Sequence, residues 1–238
     1  MYAKILSAIE TPHRYGFTAT LPYISLAKMA LEGLIGRVVG ELSINEAVDL
    51  DLLAKPKLKL IKIPIDHEIR DIKTYKEAYY RGIVTHHVRN TRVIIEAEKF
   101  IKQKIPTLIL VHHIEHGLFL QKIAKKYNLK IPYIYQKTKK EDREQIKKDL
   151  LEGRIFGVLA GNSWREGINI PCLGAIINAC GGKSEISTLQ GIGRGLRKTE
   201  KKDKVVIVDF FDPSSKWLAN HFAERLCLYF DMQWIGED

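Results

Sequence analysis

The sequence predicts an α/β fold in which an open parallel sheet carries helices on both faces. Two features of the 238-residue chain lead to this prediction. From about Thr107 onward, short apolar runs alternate with amphipathic stretches of helix length. The runs are rich in β-branched residues, as is usual for strands that are buried on both faces. The predicted strands are Thr107–Val111, Ile131–Tyr135, Ile155–Leu159, Ala175–Ile177 and Val205–Val208.

The helical stretches between these strands have recognisable ends. Thr138 is followed three residues later by Glu141, which is the spacing of a capping box at a helix N-terminus. Asn128 and Gly153 are residues that commonly end helices, because both tolerate the left-handed backbone conformation.

The first hundred residues have a different pattern. We expect a helix over about 24–33, extended pieces near 36–39 and 57–61, and a long helix over about 73–104. This region has too few strands to close a sheet of its own, so residues 1–64 are interpreted as the end of a domain whose beginning is absent. Residues 65–238 are then a complete α/β domain.

Composition narrows the class of protein. The chain is 45% hydrophobic and 28% charged, and it has no apolar run long enough for a signal peptide or a membrane span. We therefore expect a cytoplasmic protein that does not contact membranes. The three cysteines form no CxxC pair, which argues against a disulfide framework or a cysteine zinc site. A formal charge of +10 fits either a polyanionic partner such as nucleic acid or a lysine-rich solvated surface.

A glycine-rich turn follows the predicted strand 175–177. Gly181-Gly182-Lys183-Ser184 is similar to the end of a phosphate-binding P-loop. The P-loop pattern requires its first glycine at position 177, where Ile177 lies inside the strand. The preferred interpretation is that Ser184 caps the next helix, and a nucleotide site that uses Lys183 is the alternative.

Histidines follow the first predicted strand of the second domain. In the run 112–116, His112 and His116 are four residues apart and could share a helical face that binds a metal. No third ligand is evident nearby, so we predict polar residues at the carboxyl end of a strand and no metal site.

Two arginines lie three residues apart in a glycine-rich setting. Arg194 and Arg197 would share one face of a helix, and their planar guanidinium groups match phosphate oxygens. A surface helix with ordinary charges is the simpler interpretation. The surrounding apolar residues and glycines favour a position for both arginines at a packed edge of the domain, instead of on a solvated face.

Four segments resemble the motifs of superfamily 2 helicases, and they occur in the family's order. Residues 190–197 resemble motif VI (QxxGRxxR), and residues 166–171 resemble motif V. Residues 14–20, with the sequence RYGFTAT, resemble motif III, and residues 107–113 resemble motif IV. The Thr-Ala-Thr variant is most similar to UvsW-like and restriction-type DNA helicases. The resemblance implies two RecA-like domains, with motif III in residues 1–64 and motifs IV to VI in residues 65–238.

The resemblance also implies roles for the matched residues. In such enzymes ATP is bound between the two domains, and motif VI arginines reach its phosphates. Arg197 matches the arginine finger, and Arg194 matches its partner at the γ-phosphate. The other implied ATP-binding residues are Gln190, Gly193, Glu166, Gly167 and Asn169. The implied nucleic-acid-binding or coupling residues are Thr18, Thr20 and Ser163.

The chain departs from the family pattern at several positions. Asn169 replaces the usual Asp of motif V, Gly161 stands where a Thr is usual, and Gly191 stands where many relatives have Arg. No Walker A motif and no DEAD/DEAH-like pair precede Arg14.

The resemblance thus implies the C-terminal portion of an ATP-dependent helicase that does not hydrolyse ATP alone. ATP and Mg²⁺ would be bound mainly by a first RecA-like domain, in the same chain or in another, and DNA is expected over RNA. A non-catalytic nucleic-acid-binding or regulatory module and a small P-loop NTPase remain as alternatives.

Overall fold

The computed structural model describes residues 2–11, 13–18, 25–161, 170–182, 196–199 and 202–235. The chain divides into two compact units, Met1–Ser43 and Ile44–Asp238. The expected domain boundary at residue 64 differs from this division, because strand β1 (Lys55–Lys62) pairs with the sheet of the second unit.

The first unit contains two helices, α1 (Tyr2–Ser7) and α2 (Ser25–Ile35). The second helix agrees with the expected helix near residues 24–33. Residues 36–39, which were expected to be extended, form no strand, and Gly36 has a φ of 120°. A glycine tolerates this conformation after a helix because it has no Cβ.

The second unit contains one six-stranded parallel sheet. After α3 (Ile44–Asp49) and β1 come the strands β2 (Thr107–Leu110), β3 (Tyr133–Ile134), β4 (Gly157–Ala160), β5 (Ala175–Asn178) and β6 (Lys204–Phe211). The strand order is β1-β6-β5-β2-β4-β3, and neighbouring strands in this order are all parallel. All five predicted strands are present, so the predicted fold class is confirmed.

Helices cover both faces of this sheet. They are α4 (His67–Arg70), α5 (Tyr75–Tyr79), a π-helix (Tyr80–Val84), α6 (His87–Lys102), α7 (Ile114–Lys126), α8 (Lys140–Leu151) and α9 (Lys216–Asp231). Successive side chains of a strand point to opposite faces. In β2, accordingly, Leu108 packs in a core with α8 and α9, whereas Ile109 packs in a second core with α6 and α7.

Two predicted helix ends are confirmed, and one predicted cap is wrong. Asn128 (φ 55°) and Gly153 (φ 70°) follow α7 and α8 in the left-handed conformation. The capping box at Thr138 does not form, because α8 begins later, at Lys140, after the N-cap residue Lys139. The Thr138 hydroxyl instead accepts a hydrogen bond from the Tyr135 N–H at 3.1 Å.

The single long helix expected over residues 73–104 is also wrong. The structure divides it into α5, the π-helix and α6, with a break at Thr85 and His86. His86 caps α6, where its Nδ1 accepts from the Arg89 N–H at 3.1 Å. The Asn90 amide donates to the carbonyls of Ile83 and Val84, which stabilises the break with side-chain hydrogen bonds. Within the described residues, no helix is both long and apolar enough to cross a bilayer.

Candidate functional site

Most of the predicted site residues lie outside the described part of the chain. These residues are Thr20, Ser163, Glu166, Gly167, Asn169, Lys183, Ser184, Gln190, Gly193 and Arg194. The structure does describe Thr18, Arg197 and the residues at which the motif V and motif VI segments join the sheet. The geometry of these attachment points defines the candidate site.

Arg197 lies at the end of the motif VI segment. It forms an antiparallel bridge with Leu53, so the predicted helical placement is wrong for this residue. The neighbouring Leu196 is fully buried, and its carbonyl accepts from the Ala54 N–H at 2.7 Å. The backbone is thereby fixed against the chain that leads into β1, while the Arg197 side chain stays exposed.

A buried ion pair holds the chain at Gly182, before the residues that lead to motif VI. Arg225 of α9 donates from Nε to Asp209 Oδ2 at 2.8 Å and from Nη2 to Oδ1 at 3.1 Å. A third donor, Nη1, reaches the Gly182 carbonyl at 2.9 Å, directly before residues 183–195. Burial alone would lower the pKa of Arg225, but the Asp209 carboxylate outweighs it, and the pKa of the guanidinium is raised. The arginine therefore stays charged and holds this turn in place.

A second buried arginine holds the same turn from the opposite face of the sheet. Arg89 of α6 donates from Nε to Asp212 Oδ1 at 2.9 Å and from Nη1 to the Ala179 carbonyl at 3.0 Å. Burial raises the pKa of Asp212 even though Arg89 opposes that change. The Tyr79 hydroxyl donates to the Cys180 carbonyl at 2.6 Å. Three carbonyls of the loop after β5, those of Ala179, Cys180 and Gly182, are thus held by side chains of α6, α5 and α9.

Sequence reasoning missed Arg89, Asp209, Asp212 and Arg225. A signal was present, since Asp209 interrupts the apolar run of β6, and Arg225 occurs among apolar residues of α9. A charge on a face that is otherwise apolar indicates a buried partner. The sequence does not identify that partner, because each pair joins two separate elements.

The turn at Gly181 and Gly182 packs on one side against the π-helix. Gly181 has a φ of 61°, and a Cβ there would lie 2.7 Å from Ile83 Cδ1. The carbonyls of residues 179, 180 and 182 are already occupied as acceptors by Arg89, Tyr79 and Arg225. Ile83 therefore fills the side of the turn next to Gly181, whereas no such neighbour lies within 4 Å of an added Cβ at Gly182.

The motif V segment is anchored in a comparable way. Gly161 continues from β4, and its N–H donates to the Ile134 carbonyl at 2.9 Å. At the other end, Ile170 is buried in the core on the α8 and α9 side of the sheet. The Lys202 ammonium donates to the Pro171 carbonyl at 2.6 Å, and burial lowers the pKa of Lys202 to about 8. This contact connects the end of motif V to the chain that follows motif VI.

The histidines after β2 lie in different environments. His116 is fully buried, with Nε2 at 2.8 Å from Asn90 Oδ1, and burial lowers its pKa well below the usual value. His112 and His113 are exposed, and their rings contact each other at 4.9 Å between centroids. No group of three or more metal-binding side chains occurs in the part of the chain that the structure describes.

Thr18 lies in the first unit, at the end of a segment tied to α2. Arg14 donates to the carbonyls of Ile9 at 2.8 Å and Leu34 at 3.2 Å. Gly16 lies so close to Ile35 that a Cβ at Gly16 would be 2.9 Å from Ile35 Cδ1. The described part of the motif III segment therefore packs against the C-terminal end of α2.

The basic residues of α8 are partly used within the fold. Arg143 donates to the carbonyls of Tyr135, Gln136 and Thr138, which lie in the loop after β3. Lys137 and Lys140 remain exposed at the start of the helix. Arg143 therefore stabilises the loop, and only the neighbouring lysines face solvent as candidates for a nucleic-acid contact.

Comparison with known proteins identifies the family. Residues 86–199 match the model of the helicase conserved C-terminal domain. Residues 86–199 therefore form a helicase C-terminal domain. The matched range begins at the N-cap of α6 and ends just after Arg197, so it includes the segments assigned to motifs IV, V and VI.

Individual relatives agree with this assignment. A Saccharomyces cerevisiae protein named as an ATP-dependent helicase, IRC3, is 27% identical over 207 residues, covering 84% of this chain and 29% of the relative. A helicase-named protein of Sulfolobus islandicus filamentous virus is also 27% identical, covering 84% of this chain and 38% of the relative. The helicase C-terminal domain and its flanking residues thus span less than two fifths of either relative's length.

Among solved structures, T4 UvsW has the same fold as this helicase C-terminal domain. Its TM-score is 0.61 at 23% identity, and the match covers 87% of this chain and 45% of UvsW. The likeness confirms the RecA-like arrangement of the parallel sheet.

Proposed function

We propose that this helicase C-terminal domain is the second RecA-like domain of an ATP-dependent DNA helicase or translocase. In this proposal it contributes arginines to an ATP molecule that is bound mainly by a first RecA-like domain. The supporting observation is the exposed side chain of Arg197 on a backbone fixed by the Ala54–Leu196 hydrogen bond. A guanidinium held on a rigid backbone loses less conformational entropy when it meets a phosphate.

The anchoring of residues 183–195 at both ends supports the same function. Arg225 binds the Gly182 carbonyl at the start, and Ala54 binds the Leu196 carbonyl at the end. An arginine finger stabilises charge that develops on the transferred phosphoryl group, and such residues contribute roughly 10³ to 10⁵ in rate in other NTPases. We assign this role to Arg197 and contact with the γ-phosphate to Arg194. Gln190, Gly193, Glu166, Gly167 and Asn169 would complete the ATP contacts of this domain.

The residues present fit only a part of an ATP site. The sequence contains no Walker A motif, because Ile177 stands where the first glycine of a P-loop is required. ATP, when bound, supplies the phosphoanhydride whose hydrolysis drives movement, and Mg²⁺ would be held by carboxylates of the first domain. This domain's contribution is to orient arginines toward the phosphates, and we expect no hydrolysis by the chain alone.

We further propose that nucleic acid, with DNA preferred over RNA, passes along this domain. A formal charge of +10 supports a polyanionic partner, and Ser163, Thr18 and Thr20 are the candidate contacts. We place the end of the first domain in the unit Met1–Ser43, which contains the motif III segment. A cytoplasmic location stays a prediction from the sequence.

The experiment measures ATP hydrolysis by the purified chain and by the chain fused behind a first RecA-like domain of a related helicase. Each protein is assayed without nucleic acid, with single-stranded DNA and with single-stranded RNA of the same sequence. We expect turnover only in the fusion, with a larger stimulation by DNA.

Two outcomes would contradict this proposal. Hydrolysis by the chain alone that is abolished by Lys183→Ala would favour a P-loop NTPase. Nucleic-acid binding by a correctly folded fusion without any hydrolysis would favour a non-catalytic binding module.

A further inference from the structure

A basic surface lies on β1 and α6, on elements that carry none of the four helicase motifs. We call it the Glu96 surface and define it by Lys57, Lys59, Arg92, Glu96 and Lys99. Its centre is a fully buried carboxylate, and the four cations around it belong to an edge strand and a helix that packs beside it.

The pleat of β1 places Lys57 and Lys59 on one side of the strand. Lys57 and Lys59 are two residues apart, and Ile61 continues the same face, where it packs in the core with Val93 and Ala97 of α6. Leu58 points to the opposite core. The two lysines therefore stand on the α6 side of the sheet, and no acidic residue occurs in β1.

The helix contributes its cations from one face. Arg92, Glu96 and Lys99 are separated by four and three residues, which places all three on the same side of α6. The Glu96 carboxylate is 2.7 Å from the Lys59 ammonium, 2.7 Å from the Lys99 ammonium and 3.3 Å from Arg92 Nη2. One acidic side chain thus holds three basic side chains at a common point.

Glu96 is ionised in this environment. Burial opposes its ionisation, but the hydrogen bonds and charges of Lys59 and Lys99 outweigh that effect, and the pKa of the carboxyl is lowered. Its single negative charge faces three positive charges, so two positive charges are left over, and Lys57 adds a third.

The surplus charge is directed to solvent. The side chains of Lys59, Arg92 and Lys99 are 43%, 47% and 47% exposed, although their ends meet at a buried oxygen pair. Among the described residues, Glu96 is the only acidic partner of these three cations. Each ammonium has three N–H donors and the guanidinium has five, so donors remain for another anion.

Protection of an exposed sheet edge explains only part of this arrangement. Lysines on an edge strand prevent it from pairing with another strand. That role requires mobile charges on the strand itself and does not require a buried carboxylate with two more cations from a helix. Cations that are fixed close together without equal negative charge are instead suited to bind a polyanion.

We propose that the Glu96 surface binds the phosphate backbone of nucleic acid without regard to sequence, as a contact additional to the motif-bearing segments. This inference rests on the proposed function only in that nucleic acid is the partner. The repeated phosphates of a strand would meet Lys57, Lys59, Arg92 and Lys99 as a row of donors, with counterion release providing most of the affinity.

The test uses the full 238-residue chain and a fluorescein-labelled, mixed-sequence single-stranded DNA, with binding followed by anisotropy over a series of salt concentrations. The variant Lys57→Gln/Arg92→Gln removes two charges but keeps Lys59 and Lys99 on Glu96, so the buried carboxylate stays paired. We expect an affinity loss of about tenfold and a decrease of about 1.4 in the slope of log K against log salt. Thermal unfolding checks that the variant is folded.

The matched control is Lys125→Gln/Lys126→Gln, which removes the same charge from exposed positions at the end of α7. We expect it to bind nearly as the unmodified chain does. An equal loss in both double variants, or no loss in the first, would overturn the proposal. Polyglutamate is added as a competitor and compared with unlabelled DNA at equal concentration of negative charge. Displacement of the labelled DNA by less polyglutamate than unlabelled DNA would overturn the proposal in favour of an acidic protein partner.

The proposed function is tested separately by hydrolysis in the fusion protein. If the Lys57→Gln/Arg92→Gln variant retains full DNA affinity while the fusion hydrolyses ATP, the inference fails and the proposed function stands. If the chain does not bind DNA even at low salt, the inference fails together with the DNA-binding part of the proposed function.

Discussion

Arg225 and Asp209 form a two-point ion pair at the centre of the second unit, with Nε–Oδ2 and Nη2–Oδ1 distances of 2.8 and 3.1 Å. Neither side chain is appreciably exposed. The pair joins α9 to β6, and Arg225 also holds the Gly182 carbonyl, directly before the residues that lead to motif VI. The Tyr229 hydroxyl donates to the same carboxylate at 2.8 Å. The network therefore connects the stability of the fold to the position of the candidate site.

Removing one partner of this pair should be strongly destabilising. Arg225→Met leaves the Asp209 carboxylate buried with only Tyr229 and the backbone as partners, and we expect a loss of about 3–5 kcal/mol in the free energy of unfolding. Urea denaturation followed by circular dichroism measures this change. The control is Arg154→Met, which breaks an exposed pair with Asp149 and should cost at most about 1 kcal/mol. Equal effects of the two substitutions would contradict the importance of the buried pair.

Two adjacent glycines should respond differently to substitution. Gly181→Ala forces a Cβ to within 2.7 Å of Ile83 Cδ1 at a φ of 61°, and we expect a loss of about 1–3 kcal/mol. Gly182→Ala is the matched control, because no atom lies within 4 Å of its added Cβ. Urea denaturation of both variants tests the difference. A Gly181→Ala protein as stable as the Gly182→Ala protein would mean that the turn can relax.

Arg197 should act in the transition state of ATP hydrolysis. In the fusion with a first RecA-like domain, Arg197→Ala should lower kcat by about 10³-fold or more while DNA affinity and the unfolding temperature stay nearly unchanged. Arg197→Lys should restore little activity, because an ammonium cannot reproduce the guanidinium fork.

The control for Arg197 is Lys126→Ala, an exposed cation at the end of α7 that should leave turnover unchanged. In the same fusion, Arg194→Ala should raise the KM for ATP as well as lower kcat, as expected for contact with the ground-state γ-phosphate. Near-normal turnover of Arg197→Ala would show that motif VI has been misassigned.

Lys202 should make stability depend on alkaline pH. Burial lowers its pKa to about 8, whereas an exposed lysine in the unfolded chain has a pKa near 10.5. Between these values the unfolded chain binds more protons, so the contribution of Lys202 to the free energy of unfolding rises with pH from about 8 to about 10.5. Below pH 8 both states are protonated, and the cost of burying the charge is fully present.

The measurement is the free energy of unfolding of the unmodified chain and of Lys202→Met at several pH values from 7 to 10. The difference between the two proteins should change with pH in favour of the unmodified chain. Lys62→Met, at an exposed position of β1, serves as the control and should show no such dependence. A difference that is constant across this range would indicate that the Lys202 ammonium titrates normally.

Local patterns in the sequence were sufficient to predict much of the architecture. Five of the six strands of the second unit follow from short apolar runs, because strands buried on both faces are typically rich in Val, Ile and Leu. Asn128 and Gly153 mark helix ends because the left-handed backbone favours these residues. The order and spacing of the motifs were sufficient to predict a helicase domain, and the family match over residues 86–199 supports that prediction independently.

Tertiary structure decided the features that depend on partners distant in sequence. Arg89 and Asp212 are 123 residues apart, and Arg225 and Asp209 are brought together from a helix and a strand, so no local pattern identifies these pairs. The break after the π-helix depends on Asn90 reaching back to Ile83 and Val84 within a buried environment. The place of β1 in the sheet depends on its pairing with β6, and the Glu96 surface exists only because that pairing carries Lys59 to α6. A sequence specifies short-range conformation through its own backbone preferences, whereas buried charges and edge strands acquire their roles only from what packs against them.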